Sequence, residues 1–253
     1  MNLRSASLVL LTLALFLGST GCATTQPALP PEPVVRMPIP HRTWVNLNYA
    51  IKAINERAES LNTVLAVGDI VMTKPDGKTS VTLRAALLME NADSLRLKAW
   101  KADQPVMDIT YTPQGVWVWT HQRSPELTFT RAALTQLAAT LRGSVPEDAQ
   151  QIQDSTHLVT ASAVLPDSQT PVQMRIHKPT LTITQYTYFD KQNNKRQTLV
   201  LDQYDLINHQ PWPRRIRAEG ELGFMLITLD EVEINEPLPP AAFVPPARAI
   251  RQP

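Results

Sequence analysis

Apolar positions change period along this chain, and the changes mark its elements. After Thr43, a candidate helix cap, Leu47, Ile51, Ile54, Ala58 and Leu61 recur at spacings of four and three, predicting an amphipathic helix. From Leu61 to Met72 the period falls to two. Val64, Ala66, Gly68, Ile70 and Met72 share one face, and Leu65, Val67 and Val71 share the other. Pro75-Asp76-Gly77-Lys78 is a turn signal, and a second strand, Ser80–Met89, returns from it. Ser94–Trp100 alternates Leu95, Leu97 and Ala99 with Arg96 and Lys98; Val106–Tyr111 and Val116–His121 follow. Short turns between five successive strands require an antiparallel meander, because parallel neighbours need long crossovers.

Helical period returns at Arg131–Arg142, where Leu134, Leu137, Ala138 and Leu141 form one stripe between a candidate cap at Thr130 and a stop at Gly143. Strand signals resume at His157–Leu165, Val172–His177, Thr180–Phe189, Arg196–Tyr204, Arg214–Glu219 and Leu222–Ile234, with turns at Asn193-Asn194 and Glu219-Gly220. The expected fold is mainly β: about eleven antiparallel strands, a leading helix and one helical interruption.

The two ends read differently. Met1–Gly21 carries one charged side chain, Arg4, and an apolar run from Ala6 to Leu17. That run is shorter than the roughly 18–20 residues a spanning helix needs, so it reads as a secretory signal. The chain's only cysteine, Cys22, stands directly after Thr20-Gly21. Residues 22–43 carry Pro27, Pro30, Pro31, Pro33, Pro38 and Pro40, which predicts an extended, unpacked tether. Pro237, Pro239, Pro240, Pro245 and Pro246 mirror it at the far end, so the expected organisation is 1–21 signal, 22–43 tether, 44–236 folded domain and 237–253 tail.

Composition narrows the function. Lys and Arg total 24 against 23 Asp and Glu, and removal of Met1–Gly21 takes away Arg4, leaving 23 against 23. A neutral chain lacks the basic face by which nucleic-acid binders displace counterions. Aromatic residues are only 6%, so the interior has to be built largely of aliphatic side chains. One cysteine excludes an internal disulfide and a cysteine-based metal site. The histidines, His41, His121, His157, His177 and His209, lie at least 20 residues apart, too far for a helical metal motif. There is neither a phosphate-cradling glycine loop nor a Gly-x-Ser-x-Gly elbow. Acidic pairs such as Asp202/Asp205 and Glu231/Glu233 read as solvated outer-face residues. The expectation is a non-enzymatic chain without metal or cofactor.

Trp117 and Trp119, two apart on a strand, share a face. Two readings stay open: ordinary core aromatics, or the lining of an apolar cavity. The same choice applies to Leu134, Leu137 and Leu141, either a core-facing stripe or a lid. With Ile70 and Leu97 from the sheet these seven residues are the candidate cavity lining.

The pattern resembles the lipoprotein-localisation family, which comprises the periplasmic carrier LolA and the outer-membrane receptor LolB. The resemblance runs over about residues 44–234. It rests on the leading helix, Gly68-Asp69-Ile70, Pro113-Gln114-Gly115-Val116-Trp117-Val118-Trp119, the Leu134–Leu141 helix and the Pro213-Arg214-Arg215-Ile216 hairpin. It implies an unclosed, strongly curved half-barrel with a helical lid, binding an acyl chain or the lipid moiety of a lipoprotein without cofactor. The Thr-Gly-Cys arrangement resembles a bacterial lipobox, with Ser19 where leucine is usual. That implies lipidation of Cys22, and Ala23 after it implies the periplasmic face of the outer membrane. The anchor matches the receptor layout. The family resemblance implies a membrane-engaging loop at Lys101–Pro105, but Asp103 stands at its tip, and a carboxylate is costly to insert into hydrocarbon. The alternative is a non-catalytic scaffold with a filled core, presented on its tether to a periplasmic protein partner.

Overall fold

The computed structural model describes residues 39–252 apart from 79, 122–130, 166–168, 191, 193, 221 and 222. The signal segment, Cys22, most of the tether, Thr130 and Asn193 lie outside the described residues. Helix α1 spans Leu47–Glu59. The first meander holds β1 (Thr63–Thr73), β2 (Ser80–Glu90), β3 (Ser94–Lys101), β4 (Gln104–Thr112) and β5 (Gly115–Thr120). Helix α2 is Arg131–Arg142. The second meander holds β6 (Gln150–Asp154), β7 (Leu158–Leu165), β8 (Thr170–His177), β9 (Thr182–Phe189), β10 (Lys195–Ile207), β11 (Gln210–Gly220) and β12 (Gly223–Ile234). A last strand, β13, is Ile250–Gln252.

All thirteen strands form one antiparallel sheet in the order β13-β5-β4-β3-β2-β1-β12-β11-β10-β9-β8-β7-β6. Two meanders are thus joined at a single long-range seam, β1 against β12, and the sheet stays unclosed. At the seam the register slips between Val67 and Gly68, so that Asp230 is the extra residue on β12. Gly68 is required there: a Cβ on it would lie 2.1 Å from the carbonyl oxygen of Thr228.

The two sheet faces differ in chemistry. The inner face collects Val64, Ile70, Leu83, Leu95, Ile109 and Val118 with both helices into one core. Helix α1 is capped by Asn46, whose side chain accepts from the Tyr49 N–H at 2.9 Å, three residues later than the expected Thr43. Asn55 ties it to the chain leaving α2 by two hydrogen bonds with the Val145 backbone, at 2.8 and 2.9 Å. Arg142 donates to the Ala58 carbonyl. Gly143, at φ +74°, ends α2 as expected.

The outer face is charged. Arg215 and Arg217 meet Asp202 at 2.6 and 3.1 Å, Arg214 meets Asp205 at 2.8 Å, and Arg84 bridges Asp69 and Asp230. The acidic pair Asp202/Asp205 is therefore held in ion pairs. The C-terminal proline-rich stretch, expected to mirror the unpacked tether, instead runs across this face. Leu238, Ala242 and Phe243 cover Ala86, Leu88 and Trp100, and β13 pairs with β5. The proline count misleads here because a fixed φ and a missing N–H do not keep a segment from packing, and this one is held by its apolar side chains, by the Ala242 carbonyl and, at its end, by the backbone pairing of β13. The other strand beyond the expected eleven, β6, is exposed throughout, its single apolar residue Ile152 included, so no burial pattern marks it.

Candidate functional site

Helix α2 lies over the inner face, with hollows along both of its flanks. On one flank its leucine stripe meets the first meander and the seam. Leu134 is 1% exposed, Leu141 is buried and Leu137 is half-buried. Between them and the sheet lies an apolar cavity of about 70 Å³, bordered by Ile70, Leu95, Leu97, Ile109, Ile227 and Trp212 among others. Five of the seven expected lining residues, Ile70, Leu97, Leu134, Leu137 and Leu141, come together around it.

Trp117 and Trp119 do not. They share a face, as their spacing dictates, but it is the outer one. Val116 and Val118 occupy the core side of β5. Trp117 lies beneath the Arg251 guanidinium, 5.8 Å from its ring centroid, and pairs across the sheet with Thr110 and Arg251. Trp119 pairs with Asp108. A period of two fixes that two side chains go together and not which way; here the slimmer valines join the core, while Trp117 is met on the outer face by Arg251 of the C-terminal segment.

The aromatic residue that does reach the cavity is Trp212. It is 2% exposed, and its indole N–H is buried with no hydrogen-bond partner among the described residues. Buried indoles ordinarily find one. No periodic pattern singled it out, since it sits between Pro211 and Pro213.

On the other flank of α2 a larger cleft, about 460 Å³, opens against the second meander. Val172, Met174, Tyr186 and Tyr188 form its floor; Gln136, Ala139 and Thr140 of α2 form one wall, and Glu147 and Asp148 stand exposed at its mouth. The rings of Tyr186 and Tyr188 stack with centroids 6.2 Å apart. Burial pushes both phenols above their ordinary range.

The Lys101–Pro105 segment is a tight hairpin tip. Ala102 and Asp103 take φ of +46° and +63°, Lys101 pairs with Gln104, and every residue of it is exposed. Among the described residues no cluster of three His, Cys, Asp or Glu side chains is placed to hold a metal ion.

An open antiparallel half-barrel with helices laid along its inner face is a recognisable class. In solved structures it recurs in a DUF1329 family protein from Desulfovibrio piger, with a TM-score of 0.58 at 10% identity over 78% of this chain and 95% of that one. It also recurs in a domain described as an outer membrane lipoprotein-sorting protein from Vibrio parahaemolyticus (TM-score 0.56, 9% identity, 78% and 95% covered). A LolA superfamily protein from Nitrosomonas europaea gives a TM-score of 0.56 at 14% identity, covering 77% of this chain and 97% of that one. The chain has the LolA-type fold, in agreement with the sequence resemblance. No protein-family model matches the sequence, and no curated protein is similar to it in sequence.

Proposed function

We propose that this chain is a lipoprotein, anchored through Cys22 at the periplasmic face of the outer membrane, that holds an acyl chain or a lipoprotein's lipid moiety between its sheet and α2, in a LolB-like carrier or receptor role. The observation that carries the reading is the cavity under the leucine stripe, bordered almost wholly by hydrocarbon. Each methylene buried there contributes about 0.8 kcal/mol, so a long chain needs few polar contacts.

At about 70 Å³ the cavity is below the roughly 300–1,000 Å³ of ligand pockets, so α2 has to lift for a chain to enter. Hydrocarbon of the ligand then replaces Leu134, Leu137 and Leu141 against the sheet, apolar surface for apolar surface. The Lys101–Pro105 tip is not a membrane probe on this reading, because Asp103 at its end resists insertion.

The same small volume favours a second reading: a non-catalytic scaffold whose leucines permanently fill the interior. One titration separates the two. Acyl chains brominated near the middle quench tryptophan fluorescence on contact, and the acyl-binding reading expects saturable quenching that Trp212→Phe removes and Trp117→Phe leaves. Native mass spectrometry of the purified protein should show a bound lipid. If neither quenching at Trp212 nor a lipid adduct is found, the scaffold reading stands.

A further inference from the structure

Neither hollow uses the end of the half-barrel at which the chain enters the fold. The strand registers define that end. Val64 near the start of β1 pairs with Ile234, and the pairing carried through β12, β11, β10 and β9 puts the β8–β9 and β6–β7 turns at the same end as the start of β1. Glu90 of β2 pairs with Ser94 there, so the Lys101–Gln104 turn closes the opposite end.

The segment before α1 is fastened to the β8–β9 turn. The Arg42 N–H donates to the Pro179 carbonyl at 2.7 Å, and the Trp44 ring lies under the Lys178 ammonium, 5.0 Å away. Lys178 is itself held by Asp154 and by the Ser155 carbonyl at 2.6 Å. Fixed in this way, the chain turns two apolar side chains to the outside: Val45 is 60% exposed and Tyr49, in the first turn of α1, 43%. Neither belongs to the core.

Basic groups surround them. Arg42, Lys52, His41 and His157 are exposed. Arg57 donates to the Thr180 carbonyl at 3.3 Å, and its pKa is lowered to about 10 by burial and then by the charge of Arg42. His177, bonded through Nδ1 to Thr180 Oγ1 at 2.8 Å, has its pKa lowered by burial and then by His157 and His41. Both sets of cations thus gather about one turn. Of the neighbouring carboxylates, Asp154 is paired with Lys178, and Glu56 stands 3.9 Å from Lys52 in an exposed pair of little strength. Glu59 lies at the far end of α1.

An exposed aliphatic and an exposed aromatic side chain beside a half-buried indole, flanked by cations, suit the headgroup layer of a bilayer. The chain that carries Cys22 enters the described residues at 39, so an anchor there tethers the domain by this end. We infer that this end is a docking surface for an anionic lipid bilayer, with Val45 and Tyr49 in the headgroup region and Arg42 and Lys52 on the lipid phosphates. The choice of a bilayer over an acidic protein rests on the anchored-lipoprotein reading proposed above; acyl binding under Leu134–Leu141 plays no part in it. The Lys101–Pro105 tip then points away from the membrane.

Cys22→Ser removes both the acylation site and the only native cysteine, so the full chain can carry a single environment-sensitive nitrobenzoxadiazole label at Val45→Cys or at Gln104→Cys. On vesicles of equimolar phosphatidylglycerol and phosphatidylcholine the Val45 label should brighten and shift to the blue, while the Gln104 label stays as in water. Phosphatidylcholine alone should give an affinity at least fivefold weaker. In vesicle sedimentation of the unlabelled chain, Arg42→Gln and Lys52→Gln should each weaken binding by about fivefold, and Val45→Ser/Tyr49→Ser by at least as much, all with an unchanged melting temperature. Equal responses at both labels, indifference to the headgroup, or full affinity in these variants would overturn the assignment. So would saturable binding of poly-glutamate through Arg42 and Lys52 with no vesicle response at Val45, which would give this end to an acidic protein. Mass spectrometry of the membrane-bound protein tests the anchor separately: Cys22 found acylated beside a Val45 label that ignores vesicles would keep the anchor and remove the docking surface.

Discussion

Arg96 on β3 and Asp108 on β4 form a two-pronged ion pair on the outer face of the sheet, Nε to Oδ1 at 2.9 Å and Nη2 to Oδ2 at 2.8 Å. Both are nearly buried, although this is the face turned away from the core, because the C-terminal segment lies over them and the Ala242 carbonyl accepts from Arg96 Nη1 at 2.8 Å. Removing one partner strands the other charge. Arg96→Ala or Asp108→Ala should each lower stability by roughly 3–5 kcal/mol in urea unfolding, and the double variant by less than their sum.

The seam of the sheet should be intolerant at Gly68. Its φ is ordinary, so the demand is for space: an added methyl would meet backbone of β12, including the Leu229 Cα at 2.8 Å. The three nearest atoms are all backbone of β12, so no flexible side chain can move aside. Gly68→Ala is expected to cost roughly 1–3 kcal/mol by overpacking and to speed amide exchange in β1 and β12. Unchanged exchange there would mean the seam yields at no cost.

Two leucines one turn apart on α2 should behave differently. Leu134 is fully enclosed, whereas Leu137 is only half-buried beside the existing cavity. Leu134→Ala should cost about 2–5 kcal/mol and Leu137→Ala about half as much or less. Equal losses in chemical denaturation would show that the helix is seated evenly along its length.

Alkaline pH should unfold the protein through its tyrosines. Burial raises the phenols of Tyr186, Tyr188 and Tyr204 above their usual value of 10. A group whose folded pKa is raised gives stability that is complete below the unfolded pKa. It is lost as pH climbs through the folded value, because only the unfolded chain releases its proton. Stability should thus decline above about pH 10, by up to about 1.4 kcal/mol per pH unit for each tyrosine. Arg57, whose burial lowers its pKa to about 10, acts in the opposite sense over the same range, one group against three. Phenolate absorbance near 295 nm should show these three tyrosines titrating only as the sheet melts.

Much of the architecture is legible in the sequence. Eleven strands and both helices lie where the periodicity places them, and the leucine stripe of α2 turns to the sheet, because alternation and 3.6-residue spacing are local records of which side meets the core. The helix cap was misplaced because Thr43 and Asn46 are equally able acceptors, and only the path of the chain from Arg42, held by the Pro179 carbonyl at 2.7 Å, decides between them. Strands β6 and β13 left no such record: one is exposed on every residue, and the other is three residues at the end of a proline-rich stretch.

What the sequence determined by itself was therefore the set of elements, the grouping of Ile70, Leu97 and the α2 leucines on core-facing sides, and the balance of charge. Tertiary structure alone decided that Trp117 and Trp119 point outward, that the C-terminal segment packs on the outer face of the first meander, that Trp212 borders the cavity with its N–H unpartnered among the described residues, and that the larger hollow lies beyond α2. These depend on which surfaces meet across tens or hundreds of residues and on how completely side chains fill the gap between them. Volume and facing are properties of the assembled pair, and neither partner's pattern contains them.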